Sequence, residues 1–178
     1  MTAIYVLVKQ TQEAHIWTNK LIDSIPEKHW DDTPENLASN ISWQIGHLII
    51  SEYYHAILVV SVFDAEFTEK IDLHQHNQKF GYDSIPQDLV GKTSPKMLKE
   101  QLHFMQNKVI KNIVGLKLSD LDCAVEQPIK QKHPVAITKF DAISWNIKHT
   151  MWHCGQIATL KRVLHGGYDF GLPKRGDS

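Results

Sequence analysis

The chain writes one phrase twice, as ISWQIGH at residues 41–47 and within ISWNIKHTMWHCGQI at residues 143–157. Aligned on their histidines, the copies pair Ile41 with Ile143, Ser42 with Ser144, Trp43 with Trp145, Gln44 with Asn146, Ile45 with Ile147 and His47 with His149. Only Gly46 against Lys148 differs in kind. One echo is not a solenoid repeat. It is the pattern of two helices presenting equivalent faces to a shared centre.

The second copy adds His153, four residues after His149 and therefore on the same helical face. At a rise of about 1.5 Å per residue the two backbones stand roughly 6 Å apart, so both imidazoles reach one ion. A third ligand has to come from elsewhere, and the echo nominates His47. Three neutral imidazoles with open positions describe a catalytic metal site rather than a closed structural one. Gln156 continues the same face and Asn146 sits close to it, where a polar group can orient a ligand. An HxxxH alone is also simply two histidines on a helix, and HTMWH lacks the glutamate of HExxH, so no general base comes with the motif.

Helical periodicity extends outward from these two segments. A first stripe, Ile4, Leu7, Val8, Ala14, Leu21 and Ile22, predicts a helix over about 4–22, ended by Ser24-Ile25-Pro26. The second helix is expected over about 41–62, with Ser39 or Asn40 as N-cap. Ser94-Pro95 opens the third, whose stripe runs from Met97 to Leu116. The fourth starts near Thr138 or Asp141 and runs to Leu164, stopped by His165-Gly166-Gly167. Residues 63–93 read as an irregular crossover and 119–137 as a short hairpin or extended loop. The expectation is all-α: a four-helix bundle with two long connections, one domain over 1–178, and a coil tail over 168–178.

The bulk composition is ordinary for a globular chain, with 42% hydrophobic and 22% charged residues. A formal net charge of −1 gives no field for nucleic acid or an anionic membrane. The apolar run at 47–63 is interrupted by Ser51, Glu52 and His55, so no membrane span is expected. The N-terminus shows no basic n-region or cleavage site, and Cys123 and Cys154 form no CxxC. A cytoplasmic protein is the expectation. Eleven histidines are many for this length, although HQH at 74–76 reads as surface.

Several other residues bear on the site. His15 lies on the first stripe and reads as a core or pocket-lining histidine ahead of a fourth ligand. Tyr54 lies near the face of His47, where it donates to a bound anion or packs as a core tyrosine. His55 falls about 80° round the helix from His47, half-exposed or hydrogen-bonded ahead of lining a pocket rim. Cys154 points about 100° away from His153 and is expected to pack. Trp43 and Trp145 pack the bundle beside the ligand faces, and Lys161 and Arg162 sit at the negative end of the last helix.

S-W-x-I-G-H in the second helix and W-N-I-K-H-T-M-W-H-C-G-Q-I in the fourth resemble the DinB-like (DinB/YfiT-like) superfamily of metal-dependent enzymes, over nearly the whole chain. The resemblance implies an up-down-down-up four-helix bundle holding a divalent metal on His47, His149 and His153, the same residues the spacing nominates. It also implies a small-molecule reaction, most simply S-transfer with a low-molecular-weight thiol. Family sequences often carry an acidic or polar residue a turn after the first histidine; Ser51 and Glu52 hold that place here, which leaves the auxiliary base open.

The expected cofactor is Zn²⁺, Ni²⁺ or Fe²⁺, since imidazoles do not choose among them. With water as nucleophile the same site is a hydrolase, and without turnover it is a metal- or ligand-binding bundle. Broad apolar helix faces make a homodimer the expected assembly.

Overall fold

The structure, a computed structural model, describes residues 1–61, 65–126 and 132–172. These residues form six α-helices: α1 (Ala3–Asp23), α2 (Ile41–Tyr53), α3 (Ala65–Lys70), α4 (Leu73–Phe80), α5 (Pro95–Gly115) and α6 (Lys139–His165). Among the described residues there is no strand, only an isolated bridge between Ala124 and Thr138. Among the described residues no helix is long and apolar enough to cross a membrane.

The four longest helices start where the sequence places caps. Thr2 accepts from the Tyr5 amide, Asn40 from Trp43 and Ser94 from Met97. Thr138 and Asp141 exchange bonds in a capping box, at 3.1 and 2.9 Å. Each such cap satisfies a backbone N–H that the helix itself cannot, a contribution of about 1 kcal/mol.

The apolar stripes then close on one another. α1 packs on α5 and α6, and α2 packs on the same two helices. Ile22, Ile41, Ile45, Leu48, Ile49, Leu98, Leu102, Met105, Ile113, Ile143 and Ile157 are fully buried between them. Each such side chain contributes roughly 1.5–3 kcal/mol of burial. The doubled phrase supplies Ile41, Ile45 and Ile143 to this core, so part of the echo is packing.

Three expectations are corrected. The second helix does not run to residue 62 as one α-helix: it changes at Tyr54 into a π-turn over Tyr54–Leu58, where Asn112 Nδ2 donates to the Ala56 carbonyl at 2.7 Å. The crossover is not irregular throughout, because α3, α4 and a 3₁₀ turn over Pro86–Leu89 lie within it. His76 is not a surface residue: α4 presents His76 and Phe80, four apart, to α2, and His76 Nε2–H donates to the Gly46 carbonyl at 3.1 Å. The hairpin expected over 119–137 lies partly outside the described residues; the part described holds only the Ala124–Thr138 bridge.

Candidate metal centre

α2 and α6 bring His47, His149 and His153 together. One nitrogen from each ring lies within 4.8 Å of the others. Ring centroids are 4.9 Å apart for His47 and His153, 5.5 Å for His47 and His149, and 4.5 Å for His149 and His153. His149 Nε2 and His153 Nε2 face each other at 3.3 Å. At zinc–nitrogen distances near 2.05 Å, two ligands of a tetrahedral ion stand ~3.4 Å apart.

Two of the three rings are oriented by their other nitrogen. His47 Nδ1–H donates to the Phe80 carbonyl at 2.8 Å, and His153 Nδ1–H donates to Gln44 Oε1 at 2.5 Å. These bonds leave the Nε2 lone pairs directed at the centre. Gln44 is fixed in turn, its Nε2 donating to Ser39 Oγ and to Gln156 Oε1, both at 2.7 Å. Trp43 stacks on His47 with centroids 4.9 Å apart and planes at 13°, while its Nε1–H donates to Ser84 Oγ at 2.8 Å. The Nδ1 of His149 is buried without a hydrogen-bond partner among the described residues.

Burial keeps all three rings neutral. It pushes His153 down to about 2 and His149 to about 4, with neighbouring imidazoles adding to the effect. His47 is also lowered by burial, partly opposed by its bond to Phe80. Three neutral imidazoles with converging ring nitrogens fit a divalent transition metal, because none has to lose a net charge near pH 7.

A cleft of about 490 Å³ opens on His47 and His149 and is walled by Tyr54, His55, Trp145 and Asp83 among others. The π-turn aims His55 there: its wider turn rotates the residue back toward the ligand face, and its ring lies 5.5 Å from His149. His133 reaches in from the connection before α6. Its Nδ1 accepts the Val135 and Ala136 amides at 3.2 and 2.8 Å, so its Nε2 carries the proton and donates to His55 Nδ1 at 2.8 Å. The Tyr54 ring stacks on His133, and burial raises the Tyr54 hydroxyl above its usual value. A larger groove of about 690 Å³, between α1 and α6, carries no histidine.

The other candidates sort by position. Gln156 acts one step removed, through Gln44. Asn146 is buried, and neither of its amide atoms has a hydrogen-bond partner among the described residues, so it orients no ligand ring. His15 is buried against Glu52, with Nε2 and Oε1 3.3 Å apart, and not against the three histidines. Glu52 is thereby taken into the interior and does not line the cleft, whereas Ser51 does. Cys154 packs as expected, buried and 3.1 Å from Thr18 Oγ1, with its thiol pushed up by burial. His133, Asp83 and the Phe80 carbonyl carried no local sequence signal. Gln44 did, as the counterpart of Asn146 in the doubled phrase.

Comparison with known proteins agrees with the fold. A family model described as the DinB superfamily matches residues 10–157. The crystal structure of a conserved protein from Enterococcus faecalis is similar at a TM-score of 0.69 and 15% identity, covering 93% of this chain and 99% of that one. No curated protein sequence matches the chain.

Proposed function

The chain belongs to the DinB superfamily, and from that membership we propose a divalent-metal-dependent enzyme acting on a small molecule, with S-transfer to or from a low-molecular-weight thiol as its reaction. The observation that carries the proposal is the triad: two rings locked by Phe80 and Gln44, and two Nε2 atoms at the spacing of adjacent metal ligands. The up-down-down-up bundle is the arrangement this reading assumes, and Zn²⁺, Ni²⁺ and Fe²⁺ are the candidate ions.

His47, His149 and His153 would hold the ion, which when bound acts as a Lewis acid and lowers the pKa of a thiol or a water. The chain supplies the rest. Phe80 and Gln44 hold the ligand rings in one tautomer. Trp43 stacks on the His47 ring and Trp145 lines the cleft beside His149. Tyr54 keeps its proton at neutral pH and donates to an anionic group of the substrate in the cleft. His55, fixed by His133, presents Nε2–H to the same space. A hydrolase is the second reading, favoured by the Asp83 carboxylate on the cleft wall, which suits a base for water.

Elemental analysis of untagged protein beside His149→Ala is the first test. About one equivalent of transition metal lost in the variant supports the centre. A metal-dependent thiol-transfer screen against electrophiles follows. No metal at this triad after supplying Zn²⁺ and Ni²⁺ overturns the reading; metal without turnover leaves a binding module.

A further inference from the structure

A second group of metal-ligating side chains forms where the end of α6 meets the connection between α1 and α2. One ring nitrogen each of His29 and His165 and a carboxylate oxygen of Asp32 lie within 4.8 Å of one another. His29 Nδ1 and Asp32 Oδ2 are 2.7 Å apart, and the two imidazole rings have centroids 4.5 Å apart at 52°. The Nε2 of His165 is buried and has no hydrogen-bond partner among the described residues. A buried ring nitrogen left unmatched costs desolvation free energy that a ligand at that point removes.

The backbone on both sides is held. Trp30 is fully buried, its Nε1–H donates to the Ile25 carbonyl at 3.1 Å, and its own carbonyl accepts the Ser42 amide at 3.0 Å. His29 and Asp32 flank this anchor, and the Asp32 amide donates to the His29 carbonyl at 3.2 Å. The neighbouring Asp31 is engaged elsewhere, accepting the Gly91 amide at 2.8 Å. Across the gap, Lys161 Nζ donates to the carbonyls of Gly166 and Gly167 at 3.2 and 3.3 Å, which closes the helix end that carries His165.

We propose that His29, Asp32 and His165 are a second site for a divalent transition metal, which staples the C-terminus of α6 to the α1–α2 connection. Two imidazoles and one carboxylate form a borderline donor set suited to Zn²⁺, Ni²⁺ or Fe²⁺. His29 and Asp32 are partly exposed, which leaves room for water to complete the coordination. The donor set differs from the all-imidazole centre by its anionic oxygen. Along α6, His153 and His165 are separated by a rise of about 18 Å, so the two sites bind independently.

The test is a Co²⁺ titration of chelator-stripped, untagged, full-length protein, read by d–d absorption and by melting temperature. Wild type is expected to bind two equivalents. His165→Gln should lose one, and Asp32→Asn should weaken the same one at least tenfold while keeping an oxygen to accept from His29. His149→Ala should retain that equivalent, with a Co²⁺-induced rise in melting temperature that disappears in the His149→Ala/His165→Gln double variant. If His165→Gln folds poorly by circular dichroism, Asp32→Asn decides. Binding unchanged in His165→Gln and Asp32→Asn, or no binding in His149→Ala, overturns the proposal. A wild type that binds a single equivalent, lost in His165→Gln and weakened in Asp32→Asn but kept in His149→Ala, leaves it standing and removes the three-histidine centre instead.

Discussion

His47 donates its Nδ1–H to the carbonyl of Phe80, and the ring of that same Phe80 lies over Gly46. A Cβ on Gly46 would overlap the ring, so the one position where the doubled phrase differs in kind is the position that lets α4 approach α2. Gly46→Ala should therefore act twice. Overpacking should cost about 1–3 kcal/mol of stability. Displacing the Phe80 carbonyl should also weaken metal binding by about tenfold. Thermal melts and chelator competition measure the two effects, and an unchanged metal affinity would break the link between Phe80 and His47.

Gln44 is the corresponding support for His153. Gln44→Leu removes the acceptor for Nδ1–H and frees the ring to rotate. Loss of such a ligand-orienting partner typically costs 10–100-fold in affinity, and about that is expected here. Gln156→Leu should cost less, because Gln44 keeps its bond to Ser39. Zn²⁺ competition with a chromophoric chelator ranks the three proteins. Equal affinities for Gln44→Leu and wild type would remove Gln44 from the centre.

Stability of the metal-stripped protein should fall as pH falls below neutrality. His76 and His149 are held by burial at about 4, against an ordinary 6.5. Between those values the unfolded chain binds protons that the folded chain refuses, so unfolding is favoured as pH drops. The stability is fully present above pH 6.5 and declines down to about 4. His55 and His153, each at about 2, continue the decline below that. Each group contributes at most about 1.4 kcal/mol per pH unit. Urea midpoints at pH 7, 6 and 5 give the slope, and His76→Gln should make it shallower. A flat profile would mean that the rings protonate without leaving their places.

Much of this arrangement was legible in the sequence because helical periodicity is local. Caps at Asn40, Ser94 and Thr138 and the stripes between them follow from neighbours three and four residues apart. The face shared by His149 and His153 follows in the same way, and the echo carried the inference across to His47. What stayed hidden depends on non-local or backbone detail. The π-turn at Tyr54 is a change of pitch with no residue signature, yet it decides that His55 faces the cleft. His76 was misread because α4 is short and polar, and only its packing on Gly46 shows which side turns inward. The Phe80 carbonyl is a main-chain group, so no side-chain motif could announce it. His29, Asp32 and His165 are brought together only by the close of α6 on the α1–α2 connection.

His15 and Glu52 supply the last prediction, because position alone separates their two possible roles. Both are buried, and they pair at 3.3 Å in the interior between α1 and α2. If that pairing is their work, His15→Ala leaves the buried Glu52 side chain without its neighbour and should cost about 1–3 kcal/mol. Metal affinity should stay within twofold of wild type, since neither residue lines the cleft or bonds a ligand ring. Replacing both together, as His15→Leu/Glu52→Leu, should recover most of the loss, because an apolar pair needs no compensation in the core. Urea unfolding of the single and double variants, beside chelator competition, tests each part. A His15→Ala protein that keeps its stability but loses metal would return His15 to the centre as a pocket residue. A double variant no better than the single would show that His15 and Glu52 matter for the space they fill and not for their pairing.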